Sequence, residues 1–238
     1  MKTLIKNILK DKGKMIVPYD AYKIQIDQVT NVWFKQIPIK TIIDVGASDG
    51  GFAKKSRAFF PNASIHSIEA LPASYAKLVN RFKGDNKFIS YNTAVSDKEG
   101  IIDFYLCDDN TGSSSMLEMT DIHKEAYPTT QKNTKLSVPA TTIDKLFVNQ
   151  QFEKDILLKI DVQGAELIVL KGADHLLKET KMIFAEVNFL PLYKDCVLFD
   201  ELYSFLKNYG FRLAGVENVS QDLTDGKFLQ ADMYFIKE

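Results

Sequence analysis

The sequence predicts an α/β fold: a mostly parallel sheet with helices on both faces and an antiparallel last strand. Three observations carry this. Apolar runs such as KTIIDVGA (40–47) and DILLKIDV (155–162) alternate along the chain with segments of helical periodicity, the pattern of a parallel sheet wrapped by helices. These runs lack polar alternation, so they read as strands buried on both faces. The final two strand-like segments, FRLAGVEN and LQADMYFIK, are joined by VSQDLTDGKF with no helical stretch between them. A hairpin is the economical connection, and it turns the last strand antiparallel.

In chain order, MKTLIKNILKDKGK spaces Leu4, Ile5, Ile8 and Leu9 as a short amphipathic helix with a lysine face, suited to docking on the protein's own core or, as the alternative, to contact with a membrane surface. Lys6 and Asn7 interrupt its apolar residues and no small-residue cleavage site follows, so it does not read as a signal peptide. Residues 20–36 read as a second helix, with Tyr22, Ile26, Val29 and Trp33 in helical spacing and Pro38 as the stop. Residues 1–38 are therefore expected as a helical extension and 39–238 as one α/β domain. Strand 40–47 is followed by helix 50–60, strand 63–70 by a helix from Pro72 to Phe82. KFISYNTAVS (87–96) reads as one strand and IIDFYLC (101–107) as another, with a polar loop over 108–135. KLSVPATTIDKLF (135–147) reads as a short strand and a helix capped near Thr142. After strand 155–162 come a single helix over 165–179, strand 182–189 and a helix over 199–210 with a Gly stop.

Composition narrows the function classes. Thirty basic and thirty-one acidic side chains in 238 residues give a net charge of −1, so no overall electrostatic pull toward nucleic acid is expected. Only Arg57, Arg81 and Arg212 are arginines, which argues against a large surface for bidentate phosphate contacts. No run approaches the roughly 18 apolar residues of a membrane span. Cys107 and Cys196 are too few for a disulfide framework or a cysteine-based zinc site. They read as thiols in a reducing compartment, and a cytoplasmic location is expected.

Ligands of an open parallel sheet bind at the carboxyl ends of the strands, where four segments place polar residues. The first is the turn Asp44, Val45, Gly46, Ala47, Ser48, Asp49, Gly50, Gly51. It is neither G-x-G-x-x-G nor a P-loop. Its acidic opening suits a cationic or amine-bearing ligand better than a diphosphate, and a side chain at Gly46 is expected to fill ligand space. The second is Glu69 with Ala70, where a carboxylate could accept both hydroxyls of a ribose. In the third, Asn92 to Asp97, Ala94 and Val95 could lie against an adenine ring. The fourth is Lys159 to Glu166: Asp161 ends a buried strand and needs a partner or ligand, whereas Glu166 gains from the dipole of its own helix. Glu186 and Asn188 extend the same edge. Of the histidines, His66 and His175 read as structural, and His123, in the polar loop, is a candidate base. The loop's Thr111–Ser115 run offers hydroxyls and backbone donors.

The segments IDVGASDGGF, IEALP, NTAVSDKEG, VPATTIDKL, LLKIDVQGAE and FAEVNF together resemble the FkbM family of S-adenosylmethionine-dependent methyltransferases, over roughly residues 40–190. The family usually carries Glu where this chain has Gln163. The resemblance implies a Rossmann-like class I methyltransferase sheet, S-adenosylmethionine as cofactor, and transfer of a methyl group to a hydroxyl of a sugar, glycan or polyketide-like acceptor. It implies that Asp44 and Gly46, with Ala47, Ser48 and Asp49, receive the methionine part, that Glu69 and Ala70 hold the ribose, and that Ala94 and Val95 hold the adenine. Asp161 is expected to bind or deprotonate the acceptor, with Glu186 and His123 beside it. An alternative has Asp161, Glu186 and a loop residue hold a divalent metal that lowers the hydroxyl's pKa, although no compact metal motif exists. Competing readings are a nicotinamide-dependent oxidoreductase, which lacks its glycine motif here, and an inactive cofactor-binding module.

Overall fold

The computed structural model describes residues 32–237. The chain divides into two units, Met1–Pro38 and Ile39–Glu238. The described part of the first holds one helical turn, α1 (Val32–Lys35). The helix expected over 1–14 and most of that over 20–36 lie outside the described residues.

The second unit contains β1 (Thr41–Val45), α2 (Gly51–Phe59), β2 (Ser64–Ile68), α3 (Pro72–Arg81), β3 (Phe88–Tyr91), β4 (Ala94–Val95), β5 (Gly100–Cys107), α4 (Asp121–Ala126) and β6 (Asn133–Thr141). It continues through α5 (Ile143–Leu146), β7 (Ile156–Ile160), α6 (Glu166–Lys171), α7 (Asp174–Glu179), β8 (Thr180–Asn188), α8 (Phe199–Asn208), β9 (Arg212–Gln221) and β10 (Phe228–Ile236). Seven strands form one sheet in the order β3-β2-β1-β7-β8-β10-β9. β1 runs parallel to β2 and to β7, and β7 parallel to β8. β10 is antiparallel to both β8 and β9, as the hairpin requires.

Alternation along each strand divides the apolar side chains between two faces. Ile43, Val45, Leu158, Ile160, Ile183, Ala185, Met233 and Phe235 join one buried cluster with Val169 and Leu170 of α6, Leu176 and Leu177 of α7, and Leu202 and Leu206 of α8. Phe184 points the other way, and Phe52 of α2 stacks on it with ring centroids 5.5 Å apart. Helices therefore cover both faces. The chain leaves β1 toward β2 and β3, then returns to place β7 on β1's other side. That reversal opens a crevice between the ends of β1 and β7.

Three expectations need correction. The single strand over 87–96 is two strands: β3 stays in the main sheet, while β4 pairs with β6 in a second sheet of order β4-β6-β5. The Asn92 amide donates to the carbonyls of Glu69 (2.8 Å) and Ala70 (3.2 Å), pinning the corner where the chain changes sheets. Strand periodicity carries no information about which sheet a strand joins. The polar segment 108–135 is not a plain loop. It contains 3-10 turns at Thr111–Ser113 and Pro128–Thr130, helix α4 capped by Thr120, and the start of β6. The helix expected over 165–179 is broken in two. A Cβ on Gly172 would meet the Ser96 carbonyl oxygen at 2.3 Å, so the chain passes too close for any larger residue. The Asp144 carboxylate then accepts from the N–H groups of His175 (2.8 Å) and Leu176 (3.0 Å), which starts α7 afresh.

Candidate active site

The β1 turn is built around two contacts to the neighbouring strand ends. Gly46 and Ala47 both donate N–H to the Ile68 carbonyl at 3.0 Å, and Asp161 donates to the Val45 carbonyl at 3.2 Å. Gly46 has φ +72°, and a Cβ there would lie 1.9 Å from the Asp161 carbonyl oxygen. Glycine is thus needed by the join between the β1 and β7 ends. Ser48 follows with φ +49° and donates its N–H to Glu69 Oε2 at 2.7 Å. The other oxygen of Glu69 accepts from the Leu71 N–H at 2.8 Å. Burial pushes the Glu69 carboxyl up, and these two N–H groups pull it back.

Beneath the turn lies Lys159, an inward-facing residue near the end of β7. Its ammonium is 3.2 Å from Asp44 Oδ1 and 3.7 Å from Asp161 Oδ2. It also donates to the carbonyls of Gly46 (2.7 Å) and Val45 (3.2 Å). Burial opposes its charge, but Asp44 and Asp161 outweigh that and hold its pKa above the ordinary value. A buried ammonium paired in this way stays ionised and braces the turn.

Above the turn lies an open, concave cleft. Its floor is the strand-end row Gly46, Ser48, Glu69, Asp161, Val162 and Gln163. Its apolar wall comes from the second sheet and its surroundings: Leu71, Ala94, Phe104 and Met116, which belong to one apolar cluster. Thr111, Gly112 and Ser114 close another side. Ser115 ties that segment to the β7 turn, donating its hydroxyl toward the carbonyls of Gln163 (2.8 Å) and Val162 (3.2 Å).

The family model described as "Methyltransferase FkbM domain" matches residues 44–213, more than two thirds of the chain. The chain belongs to the FkbM methyltransferase family. One curated relative is the 2-O-methyltransferase NoeI of Sinorhizobium fredii, 25% identical over 172 residues that cover 70% of each chain. Among solved structures, precorrin-6y C5,15-methyltransferase of Geobacter metallireducens aligns with 10% identity, 89% of this chain and 87% of the other, and a TM-score of 0.48. Fibrillarin of Aeropyrum pernix aligns with 10% identity, 88% and 74% coverage, and a TM-score of 0.47. Methyl transfer is the chemistry that the family's description names.

In this FkbM chain the expected site residues separate into two groups. Gly46, Ser48, Glu69, Ala70, Ala94, Val95 and Asp161 all line the cleft. Asp44, Ala47, Asp49, Glu186 and His123 are not among its lining residues. Asp44 is fully buried, and the cation it was expected to receive is supplied internally by Lys159. Ala47 is buried below the turn. The Asp49 carboxylate is engaged by Arg81 of α3 at 2.6 Å. His123 sits in α4, its ring packed against Tyr127 and Tyr193 with centroids 5.0 and 4.9 Å away. Burial lowers its pKa to about 4, and neither ring nitrogen has a hydrogen-bond partner. It is buried and does not line the cleft.

Asp161 and Glu186, the pair of the metal alternative, are linked by an amide. Gln163 Nε2 donates to Asp161 Oδ1 at 2.7 Å and to Glu186 Oε2 at 2.9 Å. Among the described residues no group of three or more His, Cys, Asp or Glu is arranged to hold a metal ion. Glu186 is held well above its ordinary pKa by burial and then by the charges of Asp161, Glu166 and Asp232. Sequence reasoning missed Phe104, Met116 and Tyr193 and gave Lys159 and Gln163 no role. Lys159 had a signal, since a lysine inside an apolar strand must find a partner. Phe104 and Met116 had none, because their place on the cleft depends on the second sheet.

Among the described residues no helix is long and apolar enough to cross a membrane.

Proposed function

We propose that residues 39–238 form a methyltransferase domain that carries a methyl group from S-adenosylmethionine to a hydroxyl of a sugar, glycan or polyketide-like acceptor. The observation that carries this is one cleft with Glu69 on its floor near an apolar wall and Asp161 at the β7 end. The residues fit the cofactor. Glu69 is fixed by two backbone N–H groups yet lines the cleft, so it can accept ribose hydroxyls. Ala94, Leu71 and Phe104 offer a flat apolar surface for a purine. When bound, S-adenosylmethionine supplies a methyl group on a positively charged sulfur. Asp161, whose side chain is 42% exposed, takes up the acceptor proton at its carboxylate, while Lys159 lies 3.7 Å from that carboxylate and holds the Gly46 carbonyl. The 2-O-methyltransferase name of the relative from Sinorhizobium fredii supports a hydroxyl acceptor. The two free thiols, Cys107 and Cys196, fit a cytoplasmic location.

Calorimetry with S-adenosylhomocysteine tests this. Wild type is expected to bind it and not NADH. Glu69→Ala should weaken binding about tenfold or more, roughly 1.4 kcal/mol, with a melt confirming the fold. Unchanged affinity removes Glu69 from the site, and no binding by wild type removes the cofactor assignment.

A further inference from the structure

Gln163 is a cleft residue in an unusual setting. Its φ is +59°, a left-handed conformation that non-glycine residues seldom adopt. Both protons of its amide are used, one toward Asp161 at 2.7 Å and one toward Glu186 at 2.9 Å. The amide oxygen lies 2.8 Å from the Tyr193 hydroxyl, which donates to it and is also 3.1 Å from the Ser113 carbonyl. That contact fixes the amide's orientation, since a flip would set oxygen against two carboxylates. Tyr193 is itself held tightly: a Cβ on Gly164 would come within 2.9 Å of its ring. The second oxygen of Glu186 accepts from the Gln230 amide at 2.7 Å.

Two carboxylates on adjacent strand ends repel, and the strain is relieved by a proton, a cation or a neutral donor. A divalent cation binding both would need the space between the two oxygens at 2.0–2.6 Å from each, roughly, by general coordination chemistry. That space holds the Gln163 nitrogen.

Resting on the reading of Asp161 above, we propose that Gln163 is a positioning residue whose amide takes the place of a cation between Asp161 and Glu186, aims Asp161 into the cleft and leaves methyl transfer independent of divalent metal. The arrangement makes a definite demand on the isosteric acid. Gln163→Glu removes the donor, adds a third carboxylate and creates a metal site where none exists.

The test is Mn²⁺ binding followed by electron paramagnetic resonance on the full chain. Wild type should show no site that depends on Asp161. Gln163→Glu should bind Mn²⁺ about tenfold or more tightly than wild type, and Gln163→Glu with Asp161→Asn should lose that gain. An Asp161-dependent Mn²⁺ site in wild type overturns the proposal, as does a folded Gln163→Glu with no gain. In a second arm, label from radioactive S-adenosylmethionine is followed into a panel of sugars and glycans. Wild-type transfer should resist chelator, and Gln163→Leu should lower kcat about tenfold or more with S-adenosylhomocysteine affinity within about twofold. Chelator-sensitive wild-type transfer, or full kcat in Gln163→Leu, overturns it. Full transfer by Asp161→Asn together with the expected Mn²⁺ pattern overturns the reading of Asp161 and supports the amide's place between the carboxylates.

Discussion

At the residue scale, Gly46 changes meaning once the strands are assembled. A side chain there was expected to occupy ligand space in an otherwise sound protein. The atom it actually meets is the backbone carbonyl of Asp161, 1.9 Å from an added Cβ. Backbone cannot rotate away as a side-chain tip can, and φ +72° adds the strain of a left-handed conformation. Gly46→Ala is therefore expected to destabilise the fold by roughly 2–4 kcal/mol, the combined scale of overpacking and left-handed strain. The thermal midpoint should drop by about 2–4 °C for each kcal/mol in a domain of this size. A Gly46→Ala protein that melts like wild type and only fails to bind S-adenosylhomocysteine would restore the original view.

At the element scale, the broken helix between β7 and β8 shows how a distant side chain decides where an element starts. The run 165–179 has continuous helical periodicity, yet α6 ends at Lys171 and α7 begins at Asp174. Close approach of Gly172 to Ser96 sets the break, and Asp144 of α5 caps the new start with both carboxylate oxygens. A cap supplied from another helix links the stability of α5 and α7. Asp144→Ala should cost about 0.5–2 kcal/mol, the usual scale for a lost carboxylate cap, read as a lower urea midpoint at unchanged slope. Asp144→Asn, which keeps one acceptor, should lie between. Equal midpoints for all three proteins would show that the cap contributes nothing.

At the scale of the whole molecule, buried titratable groups pull stability in opposite directions with pH. His66, packed among Tyr91, Phe147 and Phe152, has its pKa lowered by burial to about 4. Between pH 6.5 and 4 the unfolded chain binds a proton that the folded chain refuses, so this group's contribution is lost as pH falls. Glu166 has its pKa raised by burial to about 7, against the pull of the N–H groups of Val162 and Gly164. Between pH 4.5 and 7 the folded chain binds the extra proton, so its contribution is lost as pH rises. Each group is worth at most about 1.4 kcal/mol per pH unit within its window. Relative to wild type, His66→Phe should gain stability on acidification from pH 6.5 to 4. Glu166→Gln should lose relative stability from pH 7 to 4.5. Urea midpoints across pH check both, and parallel curves for all three proteins would contradict the assignments.

The sequence by itself determined the βα alternation, the antiparallel final hairpin and the family. Each of these is written locally, in apolar runs bounded by glycine and proline and in short motifs such as KIDVQGAE. That Gly46, Ser48, Glu69, Ala94 and Asp161 meet along one cleft was also legible, because a parallel sheet places the carboxyl ends of its strands on one edge whatever the details of packing. Tertiary structure alone decided which polar groups answer one another. Lys159 pairs with Asp44, Arg81 engages Asp49, Gln163 joins Asp161 to Glu186, and His123 packs against Tyr193. It also decided that β4 leaves the main sheet, so that Phe104 and Met116 reach the cleft. The physical reason is the same in every case. Periodicity records which face of an element is buried, whereas the partner of a buried charge or edge is set by register and packing between segments far apart in the chain.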